Sequence, residues 1–169
     1  DGSLNFDSSY SDYLAKHFPQ SPKKFEYVDG LGVSGDTSFG LLTKVTSDAN
    51  YQKALAKANM VTIDIGANDV LPLIVVLQRE LSKSSPNPAT IQSLRYQLEN
   101  VAIPSLGTNL AATLATIRTI NKTNYLKIYV MGYYNALPYF PAKDQAYIVP
   151  LLEQFNHVIE MAAASQNAI

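Results

Sequence analysis

Two short segments carry the residue types from which an oxyanion-binding site is built. Gly32-Val33-Ser34-Gly35-Asp36-Thr37-Ser38 follows a strand candidate at Phe25–Val28, and Gly66-Ala67-Asn68-Asp69 follows a strand at Met60–Ile65. A glycine lets the backbone approach a ligand closely, and its N–H can point into a cleft at a helix start. An asparagine in the neighbouring strand-end loop offers a side-chain N–H to the same point. A backbone N–H and a carboxamide N–H converging on one position stabilise negative charge developing on a carbonyl oxygen. Gly35 and Asn68 are the candidates for those donors. Plainer readings stand beside them: Gly35 as a turn glycine ahead of a helix, and Asn68 and Asp69 as helix N-caps. Both hold together if Asp69 caps and Asn68 faces the cleft.

Other chemistry has fewer residues to draw on. The 169 residues contain no cysteine, which excludes disulfides, thiolate zinc sites and a cysteine nucleophile. Only His17 and His157 are present, too few for a polyhistidine metal site, and both read as helix-surface residues. Asp64 reads as a hydrogen-bonded structural residue and Asp36 as a loop-ordering group. Tyr133, Tyr134 and Tyr139 lie beyond a strand end, where they line a cleft or simply half-fill the core. Asn121-Lys122-Thr123 has the form of a glycosylation acceptor. Thirteen basic against fourteen acidic residues give a net charge of −1 without a basic cluster, so nucleic acid is not an expected partner. The longest apolar run, Val70–Leu77, spans eight residues and includes Pro72, well short of the roughly twenty needed to cross a membrane. It suits an acyl-chain pocket or lid, and a helix buried against a sheet accounts for it more economically.

The elements that must position these residues follow from periodicity. Helical spacing is expected at Ser9–Phe18, then after Thr37 and Ser38 with Phe39, Leu41, Leu42 and Val45, then at Tyr51–Ala58 and Val70–Lys83. Ser84–Pro88 is the most linker-like stretch. A helix from Thr90 is expected to break at Pro104 and Gly107 and to resume through Ile120. Strands are expected at Phe25–Val28, Met60–Ile65 and Leu126–Met131. A final amphipathic helix, Gln145–Ala164, would bury Val149, Leu152, Phe155, Ile159 and Ala162. Strands alternating with helices predict an α/β fold with a parallel sheet, and length predicts one domain over residues 1–169.

With these residues in place, the chain resembles the SGNH (GDSL-type) hydrolases, a family of esterases, lipases and acyltransferases. Val33-Ser34-Gly35-Asp36-Thr37-Ser38 is similar to the block whose glycine N–H donates to the oxyanion. Ile65-Gly66-Ala67-Asn68-Asp69 is similar to the block whose asparagine side chain does so. Tyr129–Asn135 and Leu151–Asn156 look like a subgroup from Gram-positive bacteria. The resemblance implies a three-layer α/β/α sandwich with a parallel flavodoxin-like sheet. It also implies a carboxylic ester hydrolase working through an acyl-serine intermediate, without metal or organic cofactor. The substrate would be an ester, a lipid or an acylated carbohydrate, and the location extracellular or cell-surface.

The departures are as specific as the matches. The family's Gly-Asp-Ser block and its Asp-x-x-His pair have no counterpart here: Asp1-Gly2-Ser3 has the letters in another order, and position 154, three before His157, is glutamine. Without a serine and a histidine base no hydroxyl is activated. The resemblance therefore implies a domain incomplete at both ends, inactive alone, whose missing central strand is in flanking chain or is lent by another chain. An alternative reading is a non-catalytic cell-surface or binding module that retains the fold. A flavodoxin-like mononucleotide binder is a third, and the sequence offers it no good phosphate loop.

Overall fold

The computed structural model describes residues 30–134 and 142–169. The chain divides into Asp1–Ser34 and Gly35–Ile169, and the account below concerns the second unit. The helix expected at Ser9–Phe18, the strand expected at Phe25–Val28, and Ser3, His17, Asn135 and Tyr139 lie outside the described residues.

The described residues form an α/β arrangement in the order α1 (Ser38–Ser47), α2 (Ala49–Lys57), β1 (Met60–Ile63), α3 (Ala67–Leu81), α4 (Pro88–Gln97), a π-helical turn (Leu98–Ala102), α5 (Ile103–Ile120), β2 (Lys127–Val130) and α6 (Ala142–Ser165). β1 and β2 are parallel, with Met60 opposite Lys127 and Ile63 opposite Val130. Alternation buries Ile63 and Ile65 on one strand and Ile128 on the other. Beyond β2, Ile169 donates to Ile128 O at 2.9 Å and accepts from Val130 N at 2.7 Å, the bonding of one rung of a parallel pair. The Arg118 guanidinium holds this end in place through the carbonyls of Leu126, Gln166 and Asn167 at 2.9–3.1 Å. No helix among the described residues is long and apolar enough to cross a membrane.

The core lies where α5 meets its neighbours. Leu106, Leu110, Leu114 and Ile117 make a fully buried stripe on α5, opposed by Ile148, Leu151, Phe155, Ile159 and Ala162 of α6. The α6 stripe differs from the expected one, since Val149 and Leu152 are half-buried and Ile148 and Leu151 take the core positions. Gly107 permits the close approach of these helices: a Cβ there would stand 3.0 Å from Val158 Cβ.

One expectation about helices is corrected, and the linker-like stretch is found as a connection between α3 and α4. The break at Pro104 and Gly107 does not occur, because α4, the π-helical turn and α5 run on as one path. The Ile103 N–H reaches back to Leu98 O, and this wider turn immediately ahead makes room for a proline that has no N–H to donate. The linker-like stretch is an ordered connection. Glu80 is buried and accepts from Asn87 N at 2.8 Å and from Lys83 Nζ at 2.5 Å. Asn87 in turn caps α4 through Ala89 N at 3.0 Å. Lys83 first, then Asn87, hold the Glu80 carboxyl below its ordinary range.

Asn121, of the glycosylation-like triplet, is 2% exposed. Its amide donates to Leu55 O at 2.8 Å and Ala58 O at 2.7 Å, while its Oδ1 accepts from Thr123 N at 3.1 Å. The side chain is a structural tie between α2 and the end of α5.

Candidate functional site

The site residues stand where β1 delivers the chain to α3 and where the Gly35 loop delivers it to α1. Gly66, the N-cap of α3, has φ +119° and sits so close to the core that a Cβ would lie 2.9 Å from Leu106 Cδ1, Leu106 Cδ2 and Phe155 Cζ. Only glycine takes that turn without displacing buried side chains. The turn places Asn68 and Asp69 in the first helical turn and leaves the N-cap position without a side-chain cap. Neither Asn68 nor Asp69 caps its own helix.

Asp69 instead serves the neighbouring helix. Its Oδ2 accepts from Ser38 N at 2.9 Å and its Oδ1 from Ser38 Oγ at 2.6 Å, placing a carboxylate at the start of α1 where the helix dipole favours it. Asn109 of α5 adds a donor to Ser38 Oγ at 3.0 Å. Thr37 caps α1 by accepting from Gly40 N at 3.1 Å. These bonds tie together the starts of α1 and α3 and the first half of α5.

Within that frame the Gly35 loop and Asn68 meet. The Asn68 Nδ2 donates to the Asp36 carbonyl at 2.9 Å. A carboxamide carries two N–H groups, so one fixes the side chain and the second remains for another acceptor. Gly35, immediately before Asp36, has φ +82° with open space on its Cβ side. Both Gly35 and Asn68 are exposed. Among the described residues no acceptor takes the Gly35 N–H. The Asp36 side chain orders the loop: it accepts from Thr37 N at 3.1 Å and pairs with Lys44, whose ammonium pKa rises through that bond.

On the β2 side, Tyr133 is half-buried against Phe155 in an edge-to-face contact at 5.1 Å and 83°. Its hydroxyl donates to Asp64 Oδ1 at 2.7 Å. Burial first, then the Asp64 carboxylate, push the phenol pKa far up, so this hydroxyl is a donor and not a base. Asn156 of α6 grips the same residue by its backbone, accepting from Tyr133 N at 2.8 Å and donating to Tyr133 O at 2.7 Å. Tyr134 stands exposed beside it, and His157 lies on the exposed face of α6.

The roles of Ser38, Asn109 and Asn156 are not evident from local sequence. The one available signal is a carboxamide next to the apolar stripe of a helix, as at Asn109 beside Leu110 in α5.

The model of the GDSL-like Lipase/Acylhydrolase family matches residues 1–169. No curated protein matches the chain.

Proposed function

The chain belongs to the GDSL-like lipase/acylhydrolase family, and from that premise we propose that it is part of a serine-dependent carboxylic ester hydrolase. In this reading Gly35 N–H and the second Asn68 N–H bind the oxyanion. A serine hydroxyl, deprotonated by a histidine, adds to the ester carbonyl. The carbonyl oxygen takes the negative charge and accepts from Gly35 and Asn68. Collapse expels the alcohol with the proton from the histidine, and water repeats the sequence on the acyl-serine. The serine and the Asp-x-x-His pair would come from chain flanking these residues, since the sequence holds neither block. The rung formed by Ile169 on β2 supports a sheet that continues there.

One observation carries the reading: Asn68 Nδ2 at 2.9 Å from the carbonyl of Asp36. That bond brings the carboxamide beside the Gly35 loop and aims it before any substrate arrives. Fixed donors cost no reorganisation during reaction, and losing one typically costs about 100- to 1,000-fold in kcat. Asn68→Ala in the intact protein is therefore expected to lower kcat for ester hydrolysis by that factor with little change in KM. Unchanged turnover would remove Asn68 from the site. Absence of the serine and histidine blocks from the intact protein, with no hydrolysis of any ester, would favour the non-catalytic surface module. An extracellular or cell-surface location belongs to the same proposal, from the Gram-positive resemblance.

A further inference from the structure

The apolar run Val70–Leu77 does not bury itself as a sheet-packed helix would. Along α3 only Val70, Leu77, Glu80 and Leu81 are buried, while Leu71 is 50% and Val76 45% exposed, Pro72 is exposed and Val75 is partly buried. At about 100° per residue the buried positions centre on one side of the helix and Asn68 falls on the other. Leu71, Pro72 and Val75 lie within about 60° of the Asn68 direction, and Val76 within about 80°. The exposed apolar stripe is thus a continuation of the Asn68 face. It closes at Arg79, which is also exposed on that side.

From this alignment we infer that the stripe Leu71–Pro72–Val75–Val76 is the acyl-chain rest of the site and favours medium-chain acyl esters. The inference rests on the hydrolase reading above, because Asn68 marks where the ester carbonyl binds. Its length follows from helix geometry: eight residues from Asn68 to Val76 at 1.5 Å each give about 12 Å, the reach of an extended chain of about ten carbons. Beyond Val76 the face turns cationic at Arg79, which offers a longer tail nothing apolar. A chain lying on an open helix face buries one side only, so each methylene adds about twofold in kcat/KM, half of its full transfer effect on a logarithmic scale. Apolar side chains left in water beside a polar catalytic end are the arrangement that such a substrate covers.

The test uses the full-length protein and 4-nitrophenyl esters from acetate to laurate. The expected kcat/KM rises with acyl length to about ten carbons and then levels off. Leu71→Ser and Val76→Ser each lower the decanoate-to-acetate ratio by about fourfold, one residue's share of the roughly 250-fold that eight methylenes give, and Tyr125→Ser, an exposed residue ahead of β2, leaves the ratio as it was. Hydrolysis of acetate with a flat length profile, or a ratio unmoved by both stripe variants, overturns the inference while the hydrolase reading stands. A fall in melting temperature in the stripe variants with an unmoved ratio means that another segment of the chain covers the stripe, and overturns it equally. Failure of the unsubstituted protein to hydrolyse any ester overturns both.

Discussion

Gly66→Ala separates two costs that glycine avoids, and Gly35→Ala is its internal reference. At Gly66 a methyl group would meet Leu106 Cδ1, Leu106 Cδ2 and Phe155 Cζ, each at 2.9 Å. Ordinary carbon contacts lie at about 3.5–4.0 Å, so three atoms must each retreat by at least about half an ångström. Leu106 is 0% and Phe155 4% exposed, which leaves them little room to do so. Overpacking of this kind costs about 1–3 kcal/mol. The backbone at φ +119° adds strain of about 1–3 kcal/mol for a residue with a Cβ. Reduced freedom of the unfolded chain returns about 0.4–1 kcal/mol. The net loss is about 1–6 kcal/mol, which in a chain of this size lowers Tm by roughly 2–20 °C.

At Gly35 the same substitution meets no atom within 4 Å, and φ is +82°. Only the left-handed backbone term remains, about 1–2 kcal/mol before the entropy return. Thermal and urea unfolding of the two variants in the intact protein measure the difference directly. Gly66→Ala also stands two residues ahead of Asn68. Any relief by shifting the start of α3 moves the donor, and about 1 Å of misplacement costs about 100-fold in rate. Equal Tm shifts for the two variants would refute the steric argument, and undiminished kcat in a folded Gly66→Ala would refute its link to the site.

Asn121→Ala strips the tie between α2 and α5, leaves the part-buried Ala58 carbonyl without its side-chain donor, and leaves the Leu55 carbonyl with only the Ala58 N–H. A loss of about 2–4 kcal/mol is expected by urea denaturation, with kcat unchanged in the folded fraction; a change under about 0.5 kcal/mol would contradict the assignment. Glu80→Gln tests the α3–α4 connection through pH. The folded carboxyl titrates below its ordinary value of 4.5, so its stabilising effect is present above that pH and is lost as pH falls through the folded value. The Tm gap between the parent and Glu80→Gln is therefore expected at neutral pH and should close in acid; a gap constant down to about pH 3 would show that the ion pair is not its source.

What could be read from the sequence follows the range of the interactions involved. β1 and β2 were legible because Val61, Ile63 and Ile65, and Leu126, Ile128 and Val130, alternate within a few residues. The Thr37 cap was legible for the same reason, its partner being Gly40. The local rule failed at Pro104, where the cost of a proline is removed by a widened turn in the preceding five residues, a response that no propensity records. It failed again on α3, whose apolar run looks alike whether its second face meets protein or solvent. Asp69 was misjudged for a different reason. Its partner, Ser38, is thirty-one residues away, and nothing at either position announces the other.

Under the proposed reading, that long-range pairing holds the two oxyanion donors without help from the rest of the chain. The Gly35 loop and the Asn68 turn lead into two different helices, α1 and α3, and each alone would be a mobile connection. Asp69 fixes the start of α1 through two oxygens, Asn109 holds Ser38 from α5, and Lys44 holds Asp36 from within α1. The Asp36 carbonyl then holds Asn68. Each tether lies within residues 36–109, so the position of the carboxamide is set within that span. Of the two acids in these segments, Asp69 has both oxygens engaged by Ser38, and the Asp36 carboxylate is paired with Lys44. Neither is left to oppose an oxyanion. A site whose donors are aimed and whose acids are already paired has met its ordering cost in folding, and that is the condition under which a hydrogen bond lowers a barrier instead of only improving binding.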